Sequence, residues 1–172
     1  MSFTGSGEHN VSLATHSFIL ETELFPLCKA LRMLGFDALC RSDLSHRDAI
    51  ARSIEERRVW VLKSPATPGL HYGIKYFLLE TDEVPDQLDE IDEQYTIREG
   101  VTYFSRCLKC NLLLTAIPEE KLLNKVPERI LQNFNKFQHC TSCKRIYWQG
   151  SHLKRMRQKL ESWGWREGEA GG

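Results

Sequence analysis

Cys107-Leu108-Lys109-Cys110 and, after 29 intervening residues, Cys140-Thr141-Ser142-Cys143-Lys144-Arg145-Ile146-Tyr147-Trp148-Gln149-Gly150-Ser151-His152 organise the rest of the chain. Each Cys-x-x-Cys pair sits on a tight turn that can aim both sulfurs at one ion, and four thiolates complete the tetrahedron that zinc prefers. Four cysteines also admit two disulfides, a thioredoxin-like redox pair or an iron–sulfur cluster, but the doubled spacing favours zinc. A shell of Cys107, Cys110, Cys140 and Cys143 leaves no open position, so the metal is read as structural. The insert between the pairs carries Ile117-Pro118-Glu119-Glu120 and Val126-Pro127, which predicts short helices clamped at both ends by the metal. Residues 100–160 are read as a zinc ribbon with a basic C-terminal segment.

Beyond the second pair the charge is uneven. Lys144 to Lys159 holds Lys144, Arg145, Lys154, Arg155, Arg157 and Lys159 and no acid, whereas Glu80 to Glu93 holds eight acids and no base. These runs cancel in a chain with 23 basic and 23 acidic residues, so net charge predicts no partner and only the local patches speak. A charge run is most simply a solvated face, but a basic one beside a metal ribbon also suits an anionic partner. Tyr147 and Trp148 beside Lys144 and Arg145 suit base stacking with phosphate contacts, or packing of the ribbon on the sheet. With four cysteines completing the metal shell, His152 is read as a structural or phosphate-contacting residue.

Toward the N-terminus the pattern changes to that of an α/β domain over residues 17–99. Ser17 to Leu20 reads as a buried strand, and Leu24, Leu27, Leu31 and Leu34 follow at helical spacing. Pro26 falls in that helix's first turn and Gly35 at its stop. Asp37 to Cys40 reads as a second strand. Ser45 caps a helix through Glu56 with Ala49, Ile50, Ser53 and Ile54 inward. Val59 to Leu62 is a third strand, Lys63 to Gly69 a loop, and Ile74 to Leu79 a fourth strand. Pro85 opens a helix carrying Leu88, Ile91 and Tyr95. That order predicts a parallel sheet flanked by helices.

Residues 1–16 are polar, without the basic and apolar regions of a signal peptide, and are read as a disordered leader; residues 161–172 are read as a tail. No apolar stretch approaches the roughly 20 residues of a membrane span. Cys28 and Cys40 read as buried thiols rather than a disulfide, which points to a reducing compartment, cytosol or nucleus.

Taken together, Leu31-Arg32-Met33-Leu34-Gly35-Phe36-Asp37, Arg58-Val59-Trp60-Val61-Leu62, Gln87-Leu88 and the ribbon from Ser105 to His152 resemble the Mut-seven C-terminal RNase domain family. Its members join a PIN-like nuclease fold to a zinc ribbon, and the domain also ends animal 3′–5′ exonucleases of the mut-seven (Nibbler-like) type. The resemblance covers roughly Phe18 to Arg157. It implies acids at the carboxyl ends of the strands that hold Mg²⁺ or Mn²⁺ for phosphodiester hydrolysis. Here the first-strand acid is Glu21, the acid opening the second helix is replaced by His46 with Asp43 and Asp48 flanking it, and the third-strand acid is replaced by Ser64. Asp82 remains after the fourth strand.

Three functions follow as expectations. The first is an RNA-binding module with a degenerate nuclease site, holding single-stranded RNA through Arg32, Lys63, Lys144, Arg145, Tyr147, Trp148, His152, Lys154 and Arg155. It would serve a separate exonuclease domain or a protein partner. The second is an active RNase using Glu21, Asp82 and Asp43 or Asp48 with Mg²⁺ or Mn²⁺. The third is a protein-interaction scaffold built on the acidic helix from Val84 to Tyr95 or on Trp163 and Trp165.

Overall fold

Four short apolar runs become the strands of one parallel sheet: β1 (Ser17–Leu20), β2 (Asp37–Cys40), β3 (Val59–Leu62) and β4 (Tyr76–Leu78), in the order β2-β1-β3-β4. The computed structural model describes residues 16–63 and 73–167. The leader before His16, the loop after Lys63 with Ser64, and the last five residues of the expected tail lie outside the described residues. Parallel strands are buried on both faces and therefore read as continuous apolar runs; β3, Val-Trp-Val-Leu, is buried at every position.

Helices α1 (Phe25–Met33) and α3 (Val84–Tyr95) cover one face, packing Leu27, Leu31, Leu88 and Ile91 on Phe18, Leu20, Val59 and Val61. Helix α2 (His46–Glu55) covers the other, where Ala49 meets Ile19, Trp60 and Leu62. Ser45 caps α2 as expected, its hydroxyl accepting from the Asp48 amide at 3.1 Å. Ile54, expected to face inward, is 50% exposed. Ala49 and Ser53 alone turn their sides fully to the narrow sheet, and Ile54 lies beyond its reach. The fourth strand is also shorter than its apolar run. Ile74 and Leu79 are buried at its ends, but only Tyr76–Leu78 has strand geometry.

Helix α1 stops where its sequence says it should. Gly35 adopts φ +96°, its amide donates to Arg32 O, and the Phe36 amide donates to Leu31 O, the paired closure of a glycine-terminated helix. The space above Gly35 is taken as well. A Cβ there would lie 2.3 Å from the carbonyl oxygen of Thr102, because the strand-like entry to the ribbon passes directly over it. The amides of Thr102 and Phe104 donate to Leu34 O and Met33 O, satisfying carbonyls that the helix end leaves open.

The second half forms an antiparallel sheet β5 (Thr115–Ala116), β6 (Phe137–His139) and β7 (Ile146–Trp148), in that order. The insert between the cysteine pairs does carry short helices, a 3-10 turn at Glu119–Lys121 and α4 (Glu128–Asn133). Leu122, Val126 and Phe137 form a small core of their own with Ile117, Ile130 and Trp148 around it. Helix α5 (Ser151–Ser162) then runs back onto the α/β body. Leu160 and Trp165 are buried in the same core as Phe18 and Leu31, and the Arg98 guanidinium lies 4.0 Å from the Trp165 ring. The sequence boundary drawn at residue 160 thus falls inside a helix. Among the described residues no helix is long and apolar enough to cross a membrane.

Candidate metal centre and nucleic-acid interface

The two cysteine pairs fold as near copies of one another. The Cys107 carbonyl accepts from the Asn111 amide and the Cys107 amide donates to Leu112 O, both at 2.8 Å. The Cys140 carbonyl accepts from Lys144 and the Cys140 amide donates to Arg145 O, both at 3.0 Å. The residue after each pair, Asn111 or Lys144, takes a left-handed conformation (φ 64° and 60°) that swings the chain away from the sulfurs. All four sulfurs lie within 4.8 Å of one another, with Cys107 Sγ and Cys143 Sγ 3.6 Å apart. A zinc–sulfur bond of about 2.3 Å in a tetrahedron requires sulfurs about 3.8 Å apart. The donor set and spacing fit a metal such as zinc.

Burial opposes ionisation of Cys107, but the Tyr147 hydroxyl and the backbone amides of Cys110 and Lys109 donate to its sulfur and bring its pKa down to about 6. The Tyr147 hydroxyl sits 3.1 Å from that sulfur. Burial, and then the Cys107 sulfur itself, pushes Tyr147's own ionisation up. These donors favour the thiolate form of Cys107, which suits ligation. By contrast, burial pushes Cys28 up to about 12, as suits a packed thiol.

The first knuckle is held to the α/β body by a polar network that sequence reasoning missed. Arg58 forks onto Asp37, with Nη1 to Oδ1 at 2.6 Å and Nη2 to Oδ2 at 3.0 Å. Asn111 Nδ2 donates to the same Oδ1 at 2.6 Å, while Asn111 Oδ1 accepts from the Ala38 amide. Arg106 adds Nε to Gly35 O at 2.9 Å and approaches Asp37 at 3.9 Å. Burial works against the Asp37 carboxylate, yet the Arg58, Asn111 and Arg106 side chains hold its pKa below the usual range. Arg32, expected to meet nucleic acid, belongs to this brace instead. It is 2% exposed and donates to Ala38 O, Leu108 O and Lys109 O, so it has no face for a solvent-borne phosphate. The signal was present in Leu31 to Asp37 and in Arg58, but as a docking motif rather than a catalytic one.

The expected acids are not brought together. The chain reverses its winding between β1 and β3, whose carboxyl ends make the position where open α/β sheets place ligands. Glu21 and Lys63 stand there. Glu21 accepts from Trp60 Nε1 at 2.7 Å, and Lys63 pairs with Asp82 at 2.7 Å. Asp48 is engaged with Ser45 at the start of α2, and Asp43 approaches Arg32 at 3.8 Å. His46 stands beside Trp60, ring centroids 6.0 Å apart. Among the described residues only the four cysteines form a group of three or more such side chains close enough to hold a metal ion.

Of the expected cationic and aromatic residues, Arg145, Tyr147, Trp148 and His152 converge on the wall of one cleft of about 920 Å³ between α1 and the ribbon. Lys144, Lys154 and Arg155 are exposed nearby but do not line it. Phe25, Lys29 and Lys109 do line it. They were missed because they come from the far half of the chain and from inside the first cysteine pair.

Compared with models of known families, residues 16–160 match the one described as the Mut7-C RNAse domain. No curated protein and no solved structure gives a match.

Proposed function

The chain belongs to the Mut7-C RNAse domain family, and from that premise we propose that it is a single-stranded-RNA-binding module of a mut-seven-type 3′–5′ exonuclease whose own nuclease site has decayed. The observation that carries the reading is the dispersal of Glu21, Asp43, Asp48 and Asp82, each committed to a different partner. Metal-assisted phosphodiester hydrolysis needs carboxylates converging on one or two hard cations. At the sheet's switch point Glu21 is hydrogen-bonded to Trp60, and the Lys63 ammonium at this edge pairs with Asp82, which lowers the negative charge that such cations need.

Cys107, Cys110, Cys140 and Cys143 would hold a structural zinc, which supplies no chemistry of its own and fixes the two knuckles against each other. Binding then rests on the chain's own side chains. The exposed bases Lys144, Arg145, Lys154 and Arg155 meet phosphates, and aromatic rings beside them offer faces to unpaired bases. The catalytic exonuclease domain and any protein partner would lie outside the present chain.

The test is incubation of the purified chain with end-labelled single-stranded RNA in Mn²⁺, beside Glu21→Gln, with products run on denaturing and native gels. The expected result is intact RNA in a retained complex for both proteins, weakening steeply with salt. Cleavage that vanishes in Glu21→Gln would overturn the decayed site. Neither retention nor cleavage would overturn RNA binding and turn attention to a scaffold using the acidic helix α3.

A further inference from the structure

The cleft between α1 and the ribbon has the chemistry of a nucleobase subsite. Phe25, Phe134, Tyr147 and Trp148 give it aromatic walls, while Lys29, Lys109, Arg145 and His152 supply its polar charge. None of the residues lining it is an aspartate or glutamate, although the chain as a whole has as many acids as bases. Its volume, about 920 Å³, is that of a site for a molecule of nucleotide size or somewhat larger. Phe25 opens α1 and is left 44% exposed by the described residues, a large aromatic at the mouth.

One wall is also held ready. The Tyr147 hydroxyl is anchored on Cys107 Sγ at 3.1 Å, which restrains its ring. Lys109 lies inside the first cysteine pair and Arg145 two residues after the second, so the four-sulfur centre sets the spacing of these two cations on the ribbon side of the cleft. Rings and charges fixed in advance lose little conformational entropy when a ligand arrives.

We propose that this cleft takes an unpaired nucleobase of single-stranded RNA, stacked against the Phe25, Tyr147 and Trp148 side chains, with the flanking phosphates on Lys29, Lys109 and Arg145. The inference rests on the RNA-binding reading and adds to it the place where a base is held. A base locked in a duplex cannot present its face to such walls, whereas a splayed base can, and stacking of this kind tolerates any base. The lack of any carboxylate in the lining favours a polyanion over an apolar peptide, which would need no cations.

The experiment uses the full zinc-loaded chain and fluorescein-labelled oligouridylate, beside the same oligomer carrying abasic sites, read by fluorescence anisotropy across a salt series. Phe25 is exposed enough for Phe25→Ala to fold. The expected result is roughly a five- to hundredfold weaker complex with the normal oligomer and little further loss with the abasic one. Lys109→Ala should instead lower the salt dependence by about one phosphate contact. Retention of RNA with Phe25→Ala unchanged from the parent would overturn the subsite and leave RNA binding standing. Equal weakening for normal and abasic oligomers, with little salt dependence, would assign the cleft to an apolar partner and overturn it too. Absence of any retention by the parent chain would overturn the RNA reading itself. The subsite is then decided separately by titrating UMP and AMP against the amide resonances of Lys109 and Arg145 to Trp148. Shifts confined to these residues support it, and their absence overturns it.

Discussion

Replacing Asp37 by Asn tests whether the polar brace holds the ribbon to the α/β body. The substitution keeps the shape and an oxygen for Asn111, but removes the charge that Arg58 forks onto and turns an amide N–H toward a guanidinium. The Arg58 side chain is 7% exposed and that of Asp37 30%, so the pair is neither fully buried nor at the surface. Stripping one partner from a fully buried pair costs about 3–5 kcal/mol, and an exposed pair is worth about 0–1 kcal/mol. Arg58 keeps a second carboxylate, Glu56, which softens the loss. The expected cost is therefore about 2–3 kcal/mol, read as a fall of about 1 M in the urea midpoint. The folded pKa of Asp37 is depressed, so its contribution is complete above the unfolded value of about 3.9 and is lost only as pH falls through the folded one. The difference between parent and Asp37→Asn should thus stay flat from pH 6 to 8. Hydrogen exchange should quicken at the Cys107 to Asn111 amides first. A midpoint shift under about 0.3 M, or a difference that drifts with pH across that range, would refute the reasoning.

Cys140→Ser should drop metal content from one zinc per chain toward none and open residues 107–149 to limited proteolysis, since structural zinc contributes about 10–16 kcal/mol in small modules. Unchanged protease resistance after complete metal removal would contradict this. Gly35→Ala places a Cβ in a left-handed conformation against the Thr102 carbonyl and should cost about 2–4 kcal/mol in urea unfolding; a neutral result would mean the ribbon entry yields freely. Trp165→Ala empties a fully buried site and should cost about 3–5 kcal/mol, whereas Ile54→Glu on the outer face of α2 should stay within about 0.5 kcal/mol. Thermal melts of the two side by side check the contrast.

The parts of this molecule that are local in sequence were legible in it. Two sulfurs three positions apart on a turn announce a metal whatever surrounds them, and the Ser45 cap, the Gly35 stop and the buried strand Val59–Leu62 carry their own signals. The brace was not legible, because Asp37 and Asn111 are brought together across 74 positions and Arg32 and Leu108 across 76. A cationic residue near a helix end reads as solvent-facing until the ribbon is laid over it, which is why Arg32 was expected on RNA and is found on backbone carbonyls. The cleft was half legible. Arg145, Tyr147, Trp148 and His152 are close in sequence, but nothing local to Phe25 or Lys29 says that another half of the chain will stand opposite them.

Helix α5 carries Leu160 and Trp165 into the core that Phe18 and Leu20 begin. On a ribosome, β1 would leave the exit tunnel well before Trp165, a member of the same core, had been translated. Until then this core lacks Trp165, and such half-finished apolar faces are what aggregates form on and chaperones attend. All four cysteines precede Trp165 in the chain. Metal capture shortens the wandering loop between the sheet and its last tryptophan, and a cell short of a metal such as zinc should accumulate this protein in its insoluble fraction rather than as a folded, metal-free form.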